Sequence, residues 1–190
     1  MVTRSTPRRP KSAPVKLRRL VVTLRPKIAS QTPRGRLHAG ATIFPCAIGA
    51  ASISHHKREG DNATPVGHFR LLEGFFKPGI GRRPATLVSL RPIERTLGWC
   101  EDPNAPAYNR LIHLPSRAGH ETMWRDDGLY DLVIVLDYNI QPRRRNFGSA
   151  IFLHCARPDF APTAGCIALR GADLRKLLPR LARDAKLIVR

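Results

Sequence analysis

The first 58 residues contain no acidic side chain. Glu59 is the first carboxylate, and 13 lysines and arginines precede it. The other 20 basic residues face 14 acidic ones, so about two-thirds of the +19 formal charge sits in the first third of the chain. This is the pattern of a basic arm on a moderately basic body. Such an arm attracts polyanions, whether anionic envelope polymer, membrane surface or nucleic acid. No aromatic residues interleave the basic run, and no helix-turn-helix, RNP or finger pattern occurs, so no specific nucleic-acid partner is expected. Long apolar stretches are also missing. No window approaches 18 apolar residues, which excludes a spanning helix. The start, MVTRSTPRRPKSAPVKLRRL, has the charge of a signal n-region without an apolar h-region, so no standard signal peptide is visible. Cysteine is scarce. Cys46, Cys100, Cys155 and Cys166 form no CxxC pair and no zinc-ribbon spacing, which excludes a disulfide scaffold and the common structural zinc sites.

What is present suits one ordinary domain. The chain has 190 residues, 42% of them apolar, with 17 prolines and 14 glycines that favour strands and turns over a helical bundle. Residues 1–16 read as a disordered arm, because they hold too little apolar surface to offset ordering. Residues 17–190 read as the folded domain. Leu17 to Leu24 is a strand, Pro26 to Gly35 a loop, and Arg36 to Gly49 one or two strands, with Pro45 at an edge or bulge. Ser54 to Thr64 is a polar loop, followed by a Pro-Gly element that feeds a strand with Phe69 and Leu71 on one face. Residues 92–128 form a long functional loop with short elements. Asp131 to Tyr138 and Ser149 to His154 are buried strands. Ala172 to Ala185 carries leucines at helical spacing, with Pro179 breaking or kinking the helix, and Leu187 to Arg190 closes the chain as a strand. The fold class is mainly β, with a minor α+β character.

The chemistry concentrates in Ser149 to Arg170, SAIFLHCARPDFAPTAGCIALR. A strand delivers His154 at its end, and eleven residues later Gly165-Cys166-Ile167 follows. Cysteine catalysis needs a thiol, an imidazole to take its proton and amide donors for the oxyanion. A short return loop can place these together, and an imidazolium would lower the thiol pKa. The same residue types also fit a buried thiol and a satisfied strand-end histidine.

The stretch resembles the L,D-transpeptidase (YkuD-type) catalytic domain. The resemblance rests on Ile151-Phe152-Leu153-His154, on Thr163-Ala164-Gly165-Cys166-Ile167 and, upstream, on Thr64-Pro65-Val66-Gly67-His68-Phe69 after a polar loop. It covers roughly residues 18–190. Three positions depart from the family pattern: Ala164 replaces the usual histidine, Cys155 the usual glycine and Ala168 the usual arginine. The resemblance implies β-sandwich or mixed sheets, with a short helix after the cysteine. It implies Cys166 as nucleophile and His154 as general base, with the Cys155 carbonyl orienting the imidazole. The Gly165 amide, beside that of Cys166, would hold the oxyanion. Thr163 and Arg157 would contact substrate, Arg157 through a stem-peptide carboxylate. The implied reaction is acyl transfer on peptidoglycan stem peptides through a Cys166 thioester, giving 3→3 cross-links or amine exchange. Hydrolysis of the same stems and an inactive envelope- or polyanion-binding domain are the alternatives. No cofactor and no metal are implied, the default state is a monomer, and the implied location is the periplasm or cell envelope.

Other candidates read more plainly. His55, His56, Glu59 and Asp61 match no standard metal spacing and read as solvated loop. His113 and His120 read as surface, with substrate contact as the alternative. His68 points away from the Phe69 face. Trp99, Tyr108 and Trp124 suit either a substrate groove or core packing. A Cys155–Cys166 disulfide capping the nucleophile is a further reading.

Overall fold

A computed structural model describes residues 15–25 and 32–190. Residues 1–14 of the expected arm and part of the loop expected at Pro26 to Gly35 lie outside the described residues. The strands are β1 (Leu17–Leu24), β2 (Arg34–Ala39), β3 (Thr42–Ala47), β4 (Ile53–Ser54), β5 (Thr64–Pro65), β6 (Gly67–Phe76), β7 (Leu90–Pro92), β8 (Leu97–Cys100), β9 (Leu111–His113), β10 (His120–Thr122), β11 (Leu132–Leu136), β12 (Phe152–Cys155), β13 (Ile167–Leu169) and β14 (Leu181–Val189). One helix, α1 (Gly171–Leu177), and a 3-10 turn at Leu178–Arg180 lie between β13 and β14. The mainly β expectation holds.

Nine strands form a mixed sheet in the order β11-β12-β13-β3-β2-β1-β14-β6-β7. β6 also pairs with β11, so the sheet curls back on itself. The interior holds Leu20, Leu37, Phe69, Ile134, Leu153, Ile167 and Leu187, with α1 adding Leu174 and Leu177. A second apolar layer lies on the other face of β11 and β12. There Val133, Val135, Phe152 and Cys166 meet Trp99, Met123 and Tyr130. These last residues come from residues 92–130, whose short strands form a small sheet ordered β10-β8-β9. Burial on both faces explains why DLVIVLDY and SAIFLH read as continuous apolar runs.

Pro45 faces a stretch of β3 that pairs on one side only, with Arg36, because β13 reaches β3 at the single pair Ala168 and Ala47. A missing N–H costs little there. The expected helix over 172–185 is shorter. Pro179 cannot donate a helical bond and crowds the preceding turn, so α1 ends at Leu177. From Leu181 the chain is a strand, with burial alternating over 184–187, and Ala185 and Leu187 turn inward as β14 pairs with β1 and β6. Among the described residues no helix is long and apolar enough to cross a membrane.

Candidate active site

β12 and β13 run parallel, with His154 beside Ala168 and Leu153 beside Ile167. Side chains alternate along a strand, so Phe152 and His154 share one face and Leu153 and Cys155 the other. Cys166, just before β13, lies on the His154 face. Its Sγ accepts the Phe152 N–H at 3.3 Å and donates to the Ala150 carbonyl at 3.1 Å. Both side chains are buried, His154 at 5% exposure and Cys166 at 8%, and both line one cavity of about 440 Å³.

The imidazole is held by its own strand. Nδ1 of His154 lies 2.8 Å from the Cys155 carbonyl. A carbonyl only accepts, so Nδ1 carries the proton and Nε2 keeps its lone pair. Tyr130 packs edge-on against the ring at 5.4 Å between centroids. Burial pushes the imidazole pKa down to about 4, against the opposing effect of the Cys155 carbonyl. Burial pushes the Cys166 thiol well above its ordinary range, and the Glu121 charge adds to this. Burial thus opposes the charged form of both groups, the reverse of the expected imidazolium-lowered thiol.

Thr163 and Arg157 line the cavity, and Gly165 lies in the loop between Thr163 and Cys166. Thr163 is bonded into the loop. Its N–H donates to the Ile48 carbonyl at 2.9 Å and its hydroxyl to the Cys166 carbonyl at 2.6 Å. The Gly165 amide donates to the Thr163 hydroxyl at 3.2 Å, so it is engaged rather than free. Gly165 sits at φ +141, and a Cβ there would come 2.9 Å from the Ala63 carbonyl oxygen, which demands glycine. Arg157 is half exposed at the cavity rim, 3.8 Å from the Asp127 carboxylate.

Several cavity residues other than Glu59 carry no signal in the sequence. Lys57 is 5% exposed and bonds to Asp61 and to the Arg58 carbonyl. Glu59 accepts from Tyr108 and from the Ser149 hydroxyl. Glu101 is pushed up to about 7 by burial and by the Glu121 and Glu59 charges. Glu121 is raised by burial, against its bonds to Tyr130 and Arg125. Arg125 is committed to Asp127 through two bonds, at 3.0 and 2.6 Å, and holds that carboxylate down at about 2. Charged residues in a polar loop carry no signal of their final partners, and only Glu59 and Asp61 stood out beforehand.

Other readings resolve. Trp99 and Tyr108 are buried and Trp124 is half-buried, and none lines the cavity. Trp99 stacks edge-on against Phe152 at 5.1 Å, and Trp124 lies under the Lys77 and Arg95 cations. They therefore pack rather than wall a groove. His55, His56, His68 and His113 are exposed, and the described residues contain no cluster of three metal-ligating side chains. Cys155 faces the interior, opposite to Cys166, and both thiols are free, so the disulfide reading fails on strand alternation.

The family model described as the L,D-transpeptidase catalytic domain, YkuD, matches residues 28–189. The curated proteins gave no match. Among solved structures, the helical cell shape determining protein Pgp2 from Campylobacter jejuni is 16% identical, with a TM-score of 0.38, covering 94% of this chain and 51% of that one. Mycobacterium tuberculosis L,D-transpeptidase 1 is 15% identical, with a TM-score of 0.31, covering 84% of this chain and 72% of that one. The chain spans about half the length of the Campylobacter protein. With residues 28–189 matched, the chain belongs to the YkuD family of L,D-transpeptidase catalytic domains.

Proposed function

We propose that this protein is a cysteine-dependent L,D-transpeptidase acting on peptidoglycan stem peptides in the periplasm or cell envelope. The observation that carries this reading is the placement of His154, on β12, and Cys166, the residue before the neighbouring strand β13, on one face. They line a common cavity, with Nδ1 of His154 committed to the Cys155 carbonyl. Family membership supports the substrate class. On this reading residues 17–190 are the catalytic unit, and the basic residues of 1–16 hold it to anionic envelope polymer or membrane.

Chemistry starts from the neutral pair. As Sγ of Cys166 attacks the carbonyl carbon at the L-centre of the stem diamino acid, the thiol proton moves to Nε2 of His154. Coupling the two events avoids a free thiolate, which the buried site disfavours. The oxyanion is met by the Cys166 amide and by that of Gly165, whose long bond to Thr163 gives way. The intermediate collapses with cleavage of the amide to the terminal D-alanine, whose amine leaves with the proton from His154. The acceptor amine then attacks the thioester, His154 takes its proton, and the thiol is restored. Glu101 and Glu121 give the cavity a negative wall suited to the ammonium of a diamino acid. Arg157, only loosely paired with Asp127, suits the stem carboxylate.

The test is mass spectrometry of wild type and Cys166→Ser incubated with a disaccharide-tetrapeptide. Loss of D-alanine, a protein thioester adduct and a cross-linked dimer are expected for wild type. The serine variant is expected to lose about a thousandfold or more in turnover. The ratio of dimer to tripeptide separates transfer from hydrolysis. A folded wild type that gave neither adduct nor product would overturn the reading.

A further inference from the structure

A second cavity, of about 610 Å³, lies outside the catalytic one. Arg34 and Arg36 of β2 line it on one side, with Arg25 just past the end of β1. Arg170, just after β13, lines it as well. The other wall is Pro158 to Phe160, from the loop joining His154 to Cys166. The lining includes Cys46, which is buried and whose thiol burial pushes up to about 12, so it is an inert apolar surface there.

The four guanidinium groups make no salt bridge among the described residues. The first 58 residues, which include three of these arginines, contain no carboxylate at all. Arg34 donates to the backbone carbonyl of Asp159 at 2.9 Å, and Arg170 lies over the Phe160 ring at 5.2 Å. The one acid in the wall, Asp159, turns its Oδ1 to the Ala161 N–H at 3.0 Å. Four cations around one recess repel each other until an anion enters.

We propose that this cavity is a second binding site, for a phosphate-bearing ligand of about the size of a sugar phosphate. Planar guanidinium forks match phosphate oxygens two at a time, and a dianion offsets four positive charges better than a monocarboxylate does. A recess of this volume suits a compact group with an apolar flank, which Phe160 and Cys46 would meet. A bilayer surface or a nucleic-acid backbone would be tracked by an extended face instead. The same loop walls both cavities, since Ala156, Arg157 and Ala161 to Ala164 face the catalytic one. Occupation of the second site would therefore stiffen the segment between His154 and Cys166. The proposal is independent of the assigned reaction and survives loss of Cys166.

The experiment is titration of the full chain, followed by amide NMR and calorimetry. The probes are inorganic phosphate, glucose 1-phosphate, a poly(glycerol phosphate) and, as control, acetate. Saturable binding of glucose 1-phosphate is expected, stronger than acetate and moving the Asp159 and Phe160 amides. Arg36→Ala and Arg170→Ala, both at exposed positions, are each expected to weaken it about tenfold with unchanged melting. Cys166→Ala is expected to bind as wild type. A polymer that binds more tightly per phosphate marks a polymer unit as the source, and equal affinity marks a free sugar phosphate. Non-saturable binding, acetate binding as well as phosphate, or wild-type affinity in both arginine variants would overturn the proposal. So would phosphatidylglycerol vesicles or a single-stranded oligonucleotide outcompeting the sugar phosphate.

Discussion

Burial moves His154 and Cys166 in opposite directions, because each resists the charged form. The unfolded imidazole takes a proton at its ordinary pKa of 6.5, whereas the folded one waits until about 4. Acidification across that window protonates only the unfolded state, so the His154 contribution is fully present above about 6.5 and lost as the pH falls toward 4. It amounts to about 3 kcal/mol. Denaturant melts of wild type and His154→Gln at several pH values check this: the difference in their acid dependence across the window should be of that size. Glu101 behaves oppositely, since burial and its acidic neighbours raise it to about 7. If it receives an acceptor ammonium, its ionised form is needed. Glu101→Gln is then expected to raise KM for the amine about tenfold while leaving thioester formation intact. It should also remove an acid limb near neutrality from the pH profile of transfer. Lys57 works against the carboxylates, as the cation that favours the Cys166 thiolate, and nothing in a solvated-looking HHKREGDN run marks it for burial.

At the scale of elements, the site depends on how the 92–130 excursion is tied to the sheet. Asn109 is the knot. It is 1% exposed at φ +53, and its Oδ1 accepts from the Trp99 indole at 2.9 Å and from the Ala150 amide at 3.0 Å. Its Nδ2 donates to the Tyr138 and Asn139 carbonyls at 3.2 and 2.9 Å. Ala150 is itself held at φ +51, and its carbonyl accepts the Cys166 thiol. Asn109 thus sets the backbone on which the Cys166 thiol rests. Asn109→Ala leaves buried donors unpaired and puts alanine in a left-handed conformation. A loss of about 3 kcal/mol in chemical denaturation is expected, with kcat falling more than KM rises. The strands around this knot were legible, because DLVIVLDY and SAIFLH are apolar runs with turn residues at their ends. The Asn109 network was not, because an asparagine in a polar stretch gives no sign of what it will bond. The helix over 172–185 misled for a related reason. Leucines at helical spacing also satisfy a short helix followed by an alternating strand, and Pro179 decides where one becomes the other.

Across the whole molecule, the two ends of the described chain meet. β1 runs parallel to β14 and antiparallel to β2, filling the gap between them. Leu20 and Val22 of β1 are fully buried in the interior. A chain beginning at residue 26 would lose about 4 kcal/mol of burial from these two side chains and open two strand edges. Circular dichroism and size exclusion of that truncation are expected to show loss of the cooperative transition and association. The β class, the strand carrying His154, the Gly-Cys turn and the basic skew were readable from residues alone. Each is written locally, in apolar runs, turn residues and counts of charge. The tertiary structure decided which face of β12 the imidazole takes, the burial that opposes charge on thiol and imidazole, the Lys57 and glutamate lining, and the arginine recess behind the loop from His154 to Cys166. Those depend on residues far apart in the chain meeting across a curled sheet, and no local pattern encodes such meetings.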